Sequence, residues 1–205
     1  MNPQNSRQAG YSLAEMLTVV AIIGTLALVS VPAFMNYYNS NKVKTAMRTF
    51  TTDLRTARMM AISRGRIVKF TYKTAAVSNL GNKKPALTER TYNLYEGNRS
   101  LGPINQITWT PITGAGSNPP KPAKVLEDVV YFPLDGAATP QTFTDEDAPP
   151  GSVADGWLDV IFYPDGHVKL PANTTVGTIT IRSDRSVPKP QYAIQISPSG
   201  RVAAR

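Results

Sequence analysis

The sequence predicts an α+β protein in which one long N-terminal helix precedes a mostly antiparallel, β-rich head. Three observations carry this. No charged residue falls between Met16 and Asn41. An apolar stripe then continues at helical spacing through Val43, Met47, Phe50, Leu54, Ala57 and Ala61. Beyond Arg66 the chain breaks into short β-rich runs separated by Gly- and Pro-containing turns.

The first element follows a polar leader, residues 1–10, whose only charged side chain is Arg7. The apolar run that follows is long enough to span a membrane, which takes about 20 residues. Thr18, Thr25 and Ser30 are tolerable inside it because helical hydroxyls bond to backbone carbonyls. Gly24 and Pro32 weaken it locally, Pro32 by removing a backbone donor. Tyr37 and Tyr38 stand at the far end, where aromatic rings favour a membrane interface. One carboxylate, Glu15, sits near the start. Inside an apolar span such a group costs roughly 2.5–3.5 kcal/mol and needs a partner.

An ordinary secretory signal places its apolar region before the cut and loses it. Here the small residue, Gly10, precedes the apolar run. Cutting after it would keep the helix and expose an amine on Tyr11. That amine would lie about one helical turn from Glu15, roughly 6 Å along the axis at about 1.5 Å per residue.

Residues 10–34, GYSLAEMLTVVAIIGTLALVSVPAF, closely resemble the class III signal and N-terminal helix of type IV pilins and type II secretion pseudopilins. The resemblance implies cleavage by prepilin peptidase between Gly10 and Tyr11, N-methylation of the new amine, and assembly on an inner-membrane platform. It makes Gly24 and Pro32 helix-loosening positions. It implies that Glu15 pairs with the N-terminal amine of a neighbouring subunit, because a buried charge is tolerated only with a partner. The family's first mature residue is usually Phe or Met, and here it is Tyr11. The alternative is a plain single-pass anchor carrying a binding module. Lys42, Lys44 and Arg48 outnumber Arg7, which alone would put the body in the cytoplasm. The processing motif places the head outside, on an inner-membrane protein, and it is the more specific signal.

The second half of the helix, residues 42–65, reads as an amphipathic backbone for the head, ended by Gly65. The head, residues 66–205, offers strands at 67–72, 90–95, 106–109, 129–132, 157–163, 167–170, 178–182, 192–197 and 201–204. Asp165-Gly166 is a hairpin turn signal, and Ser197–Gly200 another. Residues 113–124 and 133–156 read as loops. The run LRTARMMAISRGRIVKF, then FYPDGHV and ISPSGRV, resembles the GspH/FimT branch of minor pilins and pseudopilins. That resemblance implies a β-sandwich-like head, a position near a filament tip, and a structural rather than enzymatic protein.

Composition supports the last point. The 205 residues contain no cysteine and one histidine, His167, so Cys/His nucleophile and metal constellations cannot be assembled, and no cofactor is implied. Neither Gly81-Asn82-Lys83-Lys84 nor Gly114-Ala115-Gly116-Ser117 has a phosphate-loop frame. Asp145-Glu146-Asp147 lacks the alternate-oxygen pattern of a Ca²⁺ loop. The net charge of +8 is uneven, with nine acids and no Lys or Arg from Val125 to Asp165. At the C-terminal end, Arg182, Arg185, Lys189, Arg201 and Arg205 are candidate DNA contacts. In the FimT branch a basic C-terminal segment, Gly-Arg-x-Arg, is associated with DNA capture in natural transformation. Gly200-Arg201-Val202-Ala203 lacks the second arginine, and Arg205 follows two residues later. The competing reading is a basic rim that docks on an acidic neighbouring subunit.

Overall fold

The computed structural model describes residues 11–75, 85–99, 106–114, 121–127, 130–133, 143, 156–171, 174–183 and 189–204. Its first element is a single helix, α1 (Leu13–Arg64). Ser12 caps the start in an extended conformation, its hydroxyl accepting from the Glu15 amide at 3.2 Å. Gly65 caps the end at φ 61, where a residue without Cβ adopts the left-handed conformation without strain. The helix runs unbroken through Gly24 and Pro32.

Nine strands follow among the described residues. β1 (Val68–Ala75) is central to the larger sheet. It pairs antiparallel with β2 (Thr91–Gly97) on one side and β6 (Trp157–Phe162) on the other. β3 (Trp109–Pro111) and β4 (Lys124–Val125) pair antiparallel with β2. β5 (Phe132–Pro133) runs parallel to the end of β1. The smaller sheet is antiparallel, in the order β7 (Gly177–Arg182), β8 (Gln191–Ile196), β9 (Val202–Ala204). A bridge between Tyr131 and Arg182 links the sheets.

Both sheets share one core with the second half of α1. Val43, Ala46, Phe50, Leu54, Ala57 and Ala61 are buried against residues from both sheets, such as Phe70, Phe162, Ile179 and Ile194. Ala46 takes the buried place in this turn where the sequence stripe pointed to Met47, which is only partly buried. At the centre the Phe50 ring meets Phe70 at 5.0 Å, Tyr92 at 5.1 Å and Phe132 at 4.9 Å between centroids. Such aromatic pairs add about 0.5–1.5 kcal/mol each beyond burial. Asp53, also on α1, accepts from the Tyr92 hydroxyl at 2.7 Å and pairs with Lys124 at 3.1 Å. Burial, and then Asp53, push the Tyr92 phenol far above its usual value.

The larger sheet also buries a charge. The Lys69 ammonium lies 4.0 Å from Asp159, and their side chains are only 5% and 2% exposed. It sits over the Trp109 ring at 4.7 Å, while Thr71 donates to Asp159 at 2.7 Å. A buried pair of this kind is sustained by its extra partners.

Several sequence expectations shift. The strand expected at 106–109 forms later, as β3, and of that expected at 129–132 the described residues place Phe132 in β5, with residue 129 outside them. The loop read over 113–124 ends in β4. No strand forms at 167–170, and only Val168 bridges back to Phe162. Two ladder bonds flank that bridge, from the Tyr163 amide to the His167 carbonyl at 2.9 Å and from the Lys169 amide to the Ile161 carbonyl at 3.1 Å, while the Val168 amide faces away from β6 and donates to the Pro198 carbonyl at 2.9 Å.

Candidate assembly site

The helix changes character part-way along. From Tyr11 to Tyr38 every residue is exposed, and Asn39 is the first buried one. The sequence boundary between residues 41 and 42 falls close to this point. An 18-residue window of the first half has mean hydropathy 2.3 and is 0% buried, so length and composition suffice to cross a membrane. Its hydroxyls turn inward as expected: Thr18 donates to the Ala14 carbonyl at 2.9 Å, Thr25 to Ile22 at 2.8 Å, Ser30 to Leu26 at 2.8 Å.

Glu15 is exposed in the first turn of this helix. Ser12 and Glu15 have the S-x-x-E spacing of a capping box, a signal legible in the sequence and overlooked by a reading centred on charge. The helix dipole favours a carboxylate at this end. Tyr11 and Ser12 lie outside the helix. The axial spacing of roughly 6 Å between the Tyr11 amine and Glu15 therefore does not apply, because it treats Tyr11 as helical. Gly10, on the other side of the cut, lies outside the described residues.

The second half positions a cluster that no motif revealed. The Arg58 side chain donates to the carbonyl of Gly166 at 3.0 Å through Nε and to that of Ser199 at 3.0 Å through Nη2. One turn earlier, Arg55 donates to the Val202 carbonyl at 3.1 Å. Two turns distant in sequence, around Gly166 and Gly200, are thereby fastened to the same face of α1. Gly200 has φ 76, and a Cβ there would stand 2.0 Å from the Gly166 carbonyl oxygen. Only glycine fits. The three sequence segments LRTAR, PDGH and PSGR thus form one junction.

The first Gly-containing turn also carries the chain's histidine. His167 is half exposed, stacks on Tyr163 at 4.2 Å, and pairs through Nδ1 with Asp165. The His167 amide holds the exposed Asp165 carboxyl below its usual value.

The five basic residues read as DNA contacts do not gather at one place among the described residues. Arg182 pairs with Gln191 at one end of the smaller sheet, and Lys189 lies just before β8 at that end. Arg201 precedes Val202, which pairs with Ile196 at the other end. Five residues of strand separate these ends, about 16 Å. Arg201 joins Arg55 and Arg58 instead. Arg185 and Arg205 lie outside the described residues.

The fold and its junctions coincide with two family matches. The model for "Type II transport protein GspH" matches residues 46–200, from the first buried turns of α1 to the glycine at the Arg58 junction. The chain belongs to the GspH family. A second model, the prokaryotic N-terminal methylation motif, matches residues 5–31 and spans Gly10, Tyr11, Glu15 and Gly24. Among solved structures, the minor pseudopilin EpsH from the type 2 secretion system of Vibrio cholerae is similar. It has 13% identity and a TM-score of 0.45, over 80% of this chain and 96% of that one.

Proposed function

We propose that this GspH-family chain is a minor pseudopilin, a structural subunit that joins a type II secretion pseudopilus through the first half of α1. The carrying observation is that half itself. It is apolar and wholly exposed, while the rest of the helix is the core of a folded head. An apolar surface of this size needs a membrane before assembly and neighbouring helices afterwards.

In this reading prepilin peptidase cuts after Gly10 and Tyr11 receives the methyl group. Glu15 then pairs with the N-terminal amine of a neighbour. Gly24 and Pro32 let the helix loosen as it leaves the membrane for the filament, since Pro32 leaves one carbonyl without its helical donor. The head faces away from the cytoplasm, and the inner-membrane platform adds the subunit to the growing end. Open helical assembly requires the heterologous contacts that such pairing provides. The protein needs no catalytic set for this role. A role in DNA uptake gains no support from the described residues, where Arg182 and Lys189 lie at one end of the smaller sheet and Arg201 at the other.

Mass spectrometry of the N-terminus from membranes is the direct test. A chain beginning at Tyr11 supports the reading, and an uncut chain beginning at Met1 overturns it.

A further inference from the structure

Arg55, Arg58 and Arg201 line one open groove of about 360 Å³, with Met59, Gly200 and Val202. No acidic side chain is among these lining residues. Two of the three guanidiniums are already oriented, because Arg55 and Arg58 donate to backbone carbonyls. A carbonyl takes up a donor without neutralising the charge, and each guanidinium has further N–H groups to offer. The Arg201 side chain has no partner among the described residues.

The groove lies on an outward stripe of α1. Lys44, Arg48, Thr52, Arg55, Met59 and Ile62 recur at spacings of four and three and are all exposed. Met59 is 69% exposed and Ile62 47%. The stripe is therefore basic along most of its length and apolar beside the groove. Asp53 faces Tyr92 and Lys124 instead.

We propose that this groove docks an acidic segment bearing an apolar side chain, contributed by a different subunit of the assembly. This rests on the subunit reading above. Charge selects the partner: three guanidiniums and no acid line the groove and attract an acidic segment, and the net charge of +8 weighs against a second copy even though residues 125–165 of each copy are acidic. A lipid surface is too far away. Arg55 lies seventeen positions beyond Tyr38 (55 minus 38), about 25 Å along the helix, whereas a charged surface acts over about 10 Å.

The test uses the purified full chain in detergent and fluorescence anisotropy. The probes are a labelled peptide of alternating aspartate and leucine, the same peptide with asparagine for aspartate, and a short DNA duplex. The aspartate peptide should bind at least about tenfold more tightly than the asparagine peptide. Arg201→Glu and Met59→Asp should each weaken it by about tenfold while leaving thermal unfolding unchanged, since neither side chain is bonded into the fold. Equal binding of the two peptides, or indifference to both substitutions, overturns the proposal. So does duplex binding without peptide binding, or self-association that Arg201→Glu abolishes. N-terminal mass spectrometry on the same preparation separates the two claims. A cut chain with an indifferent groove sinks the groove alone, while an uncut chain sinks the subunit reading.

Discussion

The two halves of α1 are built from one continuous helix and obey different rules. In residues 11–38 every side chain is exposed, whatever its direction around the axis. In residues 43–61 a stripe of six apolar side chains is sealed against two sheets. The first half has no tertiary partner among the described residues, so in the proposed role its sequence must suit its surroundings, lipid and then the helices of neighbouring subunits. The second half is specified by individual neighbours. A substitution in the second half should therefore act on folding, and one in the first on assembly.

The largest effect that could break this division is Phe50→Ala. Removing a ring at the centre of four aromatic neighbours should cost about 3–5 kcal/mol, measured by chemical denaturation, with cleavage at Gly10 unaffected. A head that unfolds at unchanged denaturant concentration would show that the core does not depend on α1. Next comes Gly200→Ala. Its positive φ and the Gly166 carbonyl should together cost about 2–4 kcal/mol. The same change at Gly24, which has nothing within 4 Å of a built Cβ, should leave the head within about 0.5 kcal/mol of wild type.

A smaller effect sharpens the account of the head through pH. Tyr92 is held neutral in the fold, its phenol raised by burial and Asp53. The unfolded phenol ionises near pH 10. A raised folded value means that its stabilisation is complete below that pH and is lost as pH climbs above it. Tyr92→Phe should flatten the alkaline limb of a stability-versus-pH curve, and an unchanged limb would assign it to other groups. The smallest effect on the head is Glu15→Ala, within about 0.5 kcal/mol. The same variant should be cut normally yet be nearly absent from sheared or cross-linked filaments. Normal incorporation would remove the amine-pairing role and leave Glu15 as a helix-start residue beside Ser12.

Much of this was legible in the chain. Hydropathy and spacing marked both halves of α1 and placed Gly65 at its end, because helix periodicity and capping are local. Most strands of the head were visible as β-rich runs, and Asp165-Gly166 as a turn, for the same reason. The Ser12–Glu15 cap was equally local and only needed the spacing to be read. What was not legible depends on contacts between distant segments. Lys69 lies in a run read only as a strand, and its burial against Asp159 and the Trp109 ring depends on segments far along the chain. The run after His167 makes only one bridge to β6, and the outward-facing Val168 amide is taken up by Pro198, in a turn thirty positions away. The C-terminal arginines looked like one patch because sequence distance was short, but antiparallel pairing carries Arg182 and Arg201 to opposite ends of a sheet.

The sequence by itself determined that this chain has a membrane-length helix with one acid at its start, and a β-rich head behind it. Those properties reside in composition and in spacings of two to four residues. Only the tertiary structure decided that Arg55 and Arg58 fasten two glycine turns and gather Arg201 into a basic groove. Hydrogen bonds spanning more than a hundred residues have no periodic trace in the chain, since they exist only once the core has brought their ends together.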